Sequence, residues 1–513
     1  MIRRLPRPKR VGAWLTKRDA EPSAAKNQTR HEIHRPPPNS WYTAPLIFCH
    51  PGPDVTDSLF SSLPLTSDML ANLDTLGYTA MTPVQAASLP PLLKGRDVIA
   101  QASTGSGKTA AFGIALLHPL NLRYYGCQAL VLCPTRELAD QVAAEIRRLA
   151  RGAGNIKVLT LCGGQPIGPQ IGSLEHGAQV VVGTPGRILK HLSKGTLSLD
   201  GLNTLVLDEA DRMLDMGFFD DIAEVIRQTP ARRQTLLFSA TYPAGIKQLA
   251  ETFMRDPEHV EVAAMHDNTR IEQRFYEVEP MQRYEAVADA IACFRPTSCV
   301  VFCVTKQQCQ DVVSQLCRQG LAARALNSDL EQRERDEVLT LFANRSLSVL
   351  VATDVAARGL DIDSLDMVIN AELSHDPQTH IHRVGRTGRA GEKGLAINLV
   401  APRESRRAMA IEVLQGETLN WHPVSSLKPR AGEPMLPPTV TLCIGAGRKD
   451  KLRPGDILGA LTGDAGIPGN QVGKITVTDY QAYVAIERDS ADLALQRLMS
   501  GKIKGKNRRV KKL

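Results

Sequence analysis

The sequence predicts an α/β protein: two parallel-sheet domains in tandem, then a small α+β domain. Continuous apolar, β-branched runs alternate with helical patterns through residues 58–263 and again through 275–421. Such runs are the mark of strands buried on both faces of a parallel sheet. A polar stretch separates the two repeats, and a Pro-rich stretch separates the second from residues 439–513, where strand and helix signals alternate differently.

The elements follow in order. Residues 1–57 carry PRPKR, RPPPN and PGPD, which interrupt any periodicity, and read as a disordered basic extension. Strands of the first domain are expected at DVIA 97–100, ALVLCP 129–134, VVVGTP 180–185, TLVLDEAD 204–211 and QTLLFSAT 234–241. The alternation lapses in a polar linker, 264–274, and resumes at SCVVFCV 298–304, SVLVATDV 348–355, MVINAEL 367–373 and LAINLV 395–400. The shared rhythm predicts a duplicated architecture. A Pro-rich linker, 422–438, precedes strand VTLCIGAG, helix PGDILGALTGDAG, strands VGKITV and AYVAIE, helix SADLALQRLMSG and a basic last strand. That βαββαβ order matches the RNA-recognition-motif class.

Composition narrows the function. A chain of 513 residues exceeds one ordinary core, and 43% hydrophobic with 23% charged residues fits a soluble globular protein. No apolar stretch approaches the roughly 20 residues a membrane span needs. The Arg-rich start lacks the apolar run of a secretory signal, although Arg-rich, acid-poor starts also fit organellar transit peptides. The net charge of +8 is uneven: residues 1–50 hold ten Lys/Arg against three Asp/Glu, and residues 501–513 hold seven Lys/Arg and no acid. The residues between are therefore net acidic. A basic tail is the footprint of a nucleic-acid binder, and a solubilising tail is the plainer alternative. The ten cysteines lie singly; the closest pair, Cys299 and Cys303, lacks C-x-x-C spacing and falls in an apolar run. Structural zinc is not expected, and a cytoplasmic location is.

Three motifs carry chemistry. Ala102-Ser103-Thr104-Gly105-Ser106-Gly107-Lys108-Thr109 follows a strand and opens a helical run. The glycines let backbone N–H groups turn toward phosphates at a helix N-terminus; Lys108 would pair with the β- and γ-phosphates and Thr109 would hold Mg²⁺. Ala102 replaces the first glycine of the usual loop. Asp208-Glu209-Ala210-Asp211 ends the strand TLVL. There Asp208 would hold Mg²⁺ partly through water and Glu209 would orient and deprotonate the attacking water, unless the pair merely caps the next helix. His382 to Arg389 reads HRVGRTGR, placing Arg386 and Arg389 three apart on one expected helical face. Either that face is simply solvated, or it delivers arginines to a γ-phosphate held in the other domain. In the second case hydrolysis requires the cleft to close.

With these motifs in view, the chain resembles a DEAD-box ATP-dependent RNA helicase over residues 58–425. The resemblance implies two RecA-like domains, with ATP and Mg²⁺ as cofactors. Phe60 and GYTAMTPVQ, ending at Gln85, resemble the Q motif, implying that Phe60 stacks on adenine and Gln85 hydrogen-bonds it. PTRELA with Arg136, the Gly163-Gly164 pair and TPGR with Thr184, Gly186 and Arg187 resemble RNA-backbone contacts. SAT at 239–241 resembles the motif linking hydrolysis to strand separation; Ser239, Thr241, Asp211 and His382 are the implied coupling set. VFCVTK at 301–306 loosely resembles motif IV, and Gln332 with Arg335 fits the QxxR element. ATDVAARGLDI at 352–362 resembles motif V, implying that Thr353 touches RNA and Asp361 the ribose of ATP.

Residues 439–513 resemble the accessory domain of the bacterial DbpA subfamily in RKDKLRPGDILGALTGDAG, VGKI and GKIKGK. The resemblance implies recognition of hairpin 92 of 23S rRNA and a part in large-subunit assembly, with rRNA precursors as partners and no obligate protein partner. The RNP1 pattern is degraded: residues 479–486, DYQAYVAI, match only in their second half, and Tyr483 fits either core or base stacking. Binding is therefore expected at Lys449, Lys451, Arg453 and the tail with Lys502, Lys504 and Lys506. Two other classes use much the same residues. An ATP-gated RNA clamp would hydrolyse only to time release, and a DNA helicase would respond equally to single-stranded DNA. The extension 1–57 has no counterpart in the resemblance; it reads as a nonspecific RNA-binding arm or as the product of an upstream start codon.

Overall fold

Runs of Val, Ile and Leu with no polar face can be satisfied only inside a covered sheet, and they form one in the computed structural model. It describes residues 59–102, 105–262, 271–357, 365–388, 393–430, 434–464 and 466–513; the extension at 1–57 lies outside them. In lobe one, β1 (Val98–Gln101), β2 (Ala129–Leu132), β3 (Val158–Leu161), β4 (Val180–Gly183), β5 (Thr204–Asp208), β6 (Gln234–Ser239) and β7 (Glu258–Glu261) pair in the order β3-β4-β2-β5-β6-β1-β7. Lobe two contains β8 (Ile271–Glu277), β9 (Cys299–Cys303), β10 (Ala323–Leu326), β11 (Val349–Thr353), β12 (Met367–Asn370), β13 (Gly394–Val400) and β14 (Trp421–His422), in the order β10-β11-β9-β12-β13-β8-β14. Every pairing is parallel. Position by position the two orders are the same, so both lobes are RecA-like and the repeated rhythm is a repeated topology.

Five of these strands escape the sequence reading. β3, β7, β10 and β14 are sheet edges, where one side is left open and the apolar run is diluted: β7 reads EHVE with a single buried residue. β8 corrects the expected linker. Ile271 to Arg274, placed in 264–274, pair with Gly394 to Ile397 of β13. Its sequence, IEQRFYE, buries only Phe275 and Tyr276. The Pro-rich segment 422–438 also hugs lobe two, since His422 closes β14 and Leu427 is buried in that lobe's core.

The third sheet is antiparallel, β15 (Thr439–Ile444), β16 (Val472–Val477), β17 (Ala482–Glu487) and β18 (Val510–Lys512), in the order β16-β17-β15-β18. Helices Pro454–Gly459 and Ala491–Ser500 complete the βαββαβ order. One face, with Val440, Leu442, Ile444, Val484 and Ile486, forms the domain's core with Leu498. No helix among the described residues is long and apolar enough to cross a membrane.

Candidate active site

The loop after β1 has the backbone its sequence demands. Gly105 and Gly107 adopt φ of 80° and 96°, values that favour glycine. A Cβ on Gly107 would stand 2.5 Å from Gln85 Nε2 and 3.0 Å from Thr82 Oγ1. Gln85 Nε2 donates to the Gly107 carbonyl at 3.0 Å, and its Oε1 accepts from Thr82 N–H at 2.9 Å, which ties the Q-motif helix to the loop. Lys108 opens the helix Lys108–Leu117 and is buried, its ammonium donating to the Ala102 carbonyl at 2.9 Å. Ser103 and Thr104 lie outside the described residues. Phe60, expected on adenine, is 4% exposed and packs edge-on against Tyr78 within lobe one's core. In this structure its role is packing.

The carboxylates collect at the end of β5, which β6 separates from β1 in the sheet. Strand geometry stops at Asp208, and Glu209 takes the left-handed conformation, φ 50°, which turns the chain into the helix Ala210–Asp215. Burial pushes the Asp208 carboxyl up to about 7, against the pull of Lys108. A carboxyl held there at such cost suits a cation partner. Glu209 is buried and paired with Arg212 at 3.0 Å. Asp211 accepts from Ala240 N–H (3.2 Å), Thr241 N–H (3.0 Å) and Thr241 Oγ1 (2.9 Å), and its own N–H donates to Ser239 Oγ at 3.3 Å. Burial opposes ionisation of Asp211, but the bonds from Thr241 and the charges of His382 and Lys108 hold it below its usual range. Ser239, Thr241 and Asp211 of the expected coupling set are thus one hydrogen-bonded unit, on which His382 of lobe two acts through its charge. Among the described residues no cluster of three His, Cys, Asp or Glu could hold a metal by itself; Mg²⁺ shared between one carboxylate and nucleotide phosphates needs none.

Lobe two brings its motif against this unit. The helix Pro377–Val384 starts with Asp376 as N-cap and ends at Gly385. That corrects the expected arginine face: Arg386 lies past the helix, in the turn, and Arg389 is outside the described residues, as is Asp361. Arg386 is nevertheless buried, and it lines an open cleft with His382 and Asp354 of lobe two and Arg212 and Asp215 of lobe one. Burial, with Arg212 and Arg386 nearby, lowers His382 to about 4 against the pull of Asp211 and Glu209. Arg383, not singled out from the sequence, is 1% exposed; its guanidinium grips Asp354 at 2.6 and 2.7 Å and reaches Asn370 Oδ1 at 3.0 Å. It anchors the turn that carries Arg386.

The C-terminal sheet's second face is covered too. Thr441, Cys443, Tyr483 and Ala485 are buried but lie outside the domain's own apolar core. Asn344 Nδ2 donates to Thr441 Oγ1 at 3.0 Å, Ser346 Oγ shares hydrogen bonds with Thr439 and Thr441 at 2.9 and 2.7 Å, and Leu513 packs on a lobe-two cluster. Burial pushes the Tyr483 phenol up to about 12, with Glu337 and Arg333 of lobe two close by. Of its two expected roles, Tyr483 takes the packed one.

Comparison with known proteins meets this geometry. Residues 82–249 match the DEAD/DEAH box helicase family, 282–391 the helicase conserved C-terminal domain and 441–512 the DbpA RNA binding domain. ATP-dependent RNA helicase DbpA of Escherichia coli (strain K12) is 54% identical over 446 residues, 86% of this chain and 97% of the relative. The chain belongs to the DEAD-box RNA helicase family. DEAD-box ATP-dependent RNA helicase CshA of Bacillus subtilis (strain 168) is 44% identical over 354 residues, 69% of this chain and 72% of that one. A solved structure of S. cerevisiae Dbp5 bound to RNA and ADP BeF3 superposes with a TM-score of 0.66 at 30% identity, covering 72% of this chain and 96% of that one. This DEAD-box protein is therefore an ATP-dependent RNA helicase.

The residues expected on RNA are partly engaged by the helicase itself. Thr135 caps the helix Arg136–Leu149 through Leu138 N–H, placing Arg136 at its first turn, 3.8 Å from Asp336 of lobe two. Arg335 Nε meets Glu137 Oε1 at 2.5 Å and its Nη2 donates to the Ala356 carbonyl at 2.6 Å. Gln332 lies against Gly164, within 3.3 Å of where a Cβ would stand; Gly163 precedes it in the loop after β3. Thr184 is the N-cap of the helix Pro185–Ser193, Gly186 sits in its first turn, and Arg187 is held by Gln170 Oε1 and the Gln165 carbonyl, both at 2.9 Å. Thr353 closes β11 and is 9% exposed. In the C-terminal domain Arg453 caps the helix Pro454–Gly459, Lys504 donates to the Lys451 carbonyl and to Asp456 at 3.0 Å, and Lys449 sits beside the ring of Tyr480. Lys502 and Lys506 are exposed. Glu137 and Arg383 are missing from the sequence reading because their partners are remote in sequence or in another lobe, and Arg212 because the cleft it lines is shared with lobe two.

Proposed function

We propose that this helicase spends ATP to unwind or remodel RNA locally, and that its target is 23S rRNA around hairpin 92 during large-subunit assembly. The observation that carries this reading is a DbpA-type RNA-binding domain docked on a two-lobe ATPase whose cleft is lined from both sides. In the proposal, Gly105, Gly107 and Lys108 hold the triphosphate and Gln85 the base. Asp208 and Thr109 would hold Mg²⁺, which supplies charge neutralisation at the phosphates. Glu209 orients and deprotonates water, and Arg386 with Arg389 stabilises the charge developing on the γ-phosphate. Asp211, Ser239, Thr241 and His382 transmit closure, which the contact of Arg335 with Glu137 favours. Arg136, Arg187 and Thr353 face the RNA backbone, where contacts position without reading sequence.

Stacking costs about 1.4 kcal/mol per step in a DNA duplex, so one closure opens only a short helix. The test compares ATPase stimulation of the full chain by a hairpin 92 fragment and by unrelated RNA of equal length. Strong stimulation by the first alone is expected, and equal stimulation would overturn the rRNA target. A short-duplex assay with ATP against a nonhydrolysable analogue separates unwinding by turnover from a clamp. Deleting residues 439–513 is expected to remove the rRNA preference.

A further inference from the structure

An RRM-like domain ordinarily stacks bases on aromatics of its sheet, yet here that face is spent on lobe two. The domain has two aromatic residues, Tyr480 and Tyr483, and Tyr483 is buried. Tyr480 is 66% exposed. It stands at the tip of the β16–β17 hairpin, which Thr478 closes by donating its N–H and Oγ1 to the Gln481 carbonyl at 2.8 and 2.9 Å.

The hairpin is braced against the loop after β15. Arg448 N–H donates to the Thr478 carbonyl at 2.8 Å and Lys449 N–H to the Asp479 carbonyl at 3.0 Å. The approach is so close that a Cβ on Gly447 would stand 2.4 Å from Thr478 O. Arg508 holds the same loop from the tail through Asp450 at 2.8 Å. On this braced rim the Lys449 ammonium lies 4.1 Å from the centre of the Tyr480 ring and bonds its hydroxyl. The cation sits beside the ring at its hydroxyl; an exposed ring beside a cation is the pairing that single-stranded nucleic acid recognises, base on ring and phosphate on ammonium.

We propose that Tyr480 is the base-stacking residue of the C-terminal domain, taking an unpaired RNA base on its ring while Lys449 takes the adjoining phosphate. The inference rests on the proposed RNA target and deepens it: the rim, not the sheet, meets single-stranded loop nucleotides. The ring is exposed, so its removal does not threaten the fold. The experiment measures binding of the full-length protein to three probes: the hairpin 92 fragment, a hairpin with a scrambled loop and a blunt duplex of equal length. Tyr480→Ala is expected to weaken both hairpins roughly tenfold, the size of one lost stack, and to leave the duplex unchanged. Tyr480→Phe and Tyr480→Trp retain hairpin binding. In ATPase assays the Ala variant raises the apparent KM for hairpin RNA at an unchanged kcat. Parental hairpin affinity in Tyr480→Ala, an equal loss on the duplex, or a Phe variant as weak as Ala would each overturn the proposal. If the unmodified protein binds both hairpins equally, the rRNA target falls, and the Ala variant's loss on both still reports stacking.

Discussion

A buried ammonium needs an acceptor, and Lys108 uses the carbonyl of Ala102. Nucleotide phosphates are stronger acceptors, so Lys108→Ala is expected to remove ATP binding or turnover, read by nucleotide affinity and steady-state ATPase. Glu209→Gln keeps the shape of the left-handed turn but cannot take a proton. It is expected to bind ATP while kcat falls by a factor on the order of 10²–10⁴; rapid turnover by this variant would refute its role with water. His382 gives a pH signature. Its value is lowered from 6.5 to about 4 where lobe two meets the carboxylates of lobe one. A histidine lowered by closure favours the closed form most above its open value and gives up that contribution as pH falls from 6.5 toward 4. The closed-to-open ratio, followed by inter-lobe FRET with ATP and RNA, should fall roughly tenfold between pH 7.5 and 5.5. His382→Gln should remove that segment of the profile.

One helix, Gln332–Ala343, is pressed from two sides. Gln332 and Arg335 meet lobe one, while Arg333 and Glu337 lie near Cys443 and Tyr483 of the C-terminal sheet. The Arg335–Glu137 pair is largely shielded from water, so breaking it should cost closure about 1.5–3 kcal/mol. Arg335→Ala and Glu137→Ala are each expected to lower RNA-stimulated ATPase tenfold or more. The double variant should be little worse than either single one, and additive losses would show that Arg335 acts on RNA alone. The sequence announced this helix through Gln332 and Arg335 but not its partners, because a contact between lobes leaves no periodicity. The same limit separates the strands. Apolar runs such as VVVG in β4 are legible because both faces are buried, whereas the edge strand EHVE and the half-polar IEQRFYE of β8 are specified by their neighbours in the sheet. Phosphate loop and carboxylates were legible because strand–loop–helix chemistry is local; the end of the His382 helix at Gly385, short of Arg386, was not.

Across the whole molecule charge and function are divided. The lobes are net acidic between basic ends, so they must grip RNA by amides, helix ends and a few arginines, while the C-terminal rim adds long-range attraction. The rim's cations are not equivalent. Lys504 shares Asp456 and Arg508 shares Asp450, at 3.0 and 2.8 Å, and a cation that already has a carboxylate releases less when phosphate arrives. Lys502 and Lys506 stand exposed on the same stretch. Binding of hairpin RNA, measured as log K against log salt, should therefore lose about 0.7–0.9 of slope for each of Lys502→Gln and Lys506→Gln. Lys504→Gln should lose clearly less, because it frees Asp456 as it removes the ammonium. Equal changes for all three lysines would mean that the ion pairs on the rim open freely on binding, and that tail charge acts as a count rather than as a placed surface.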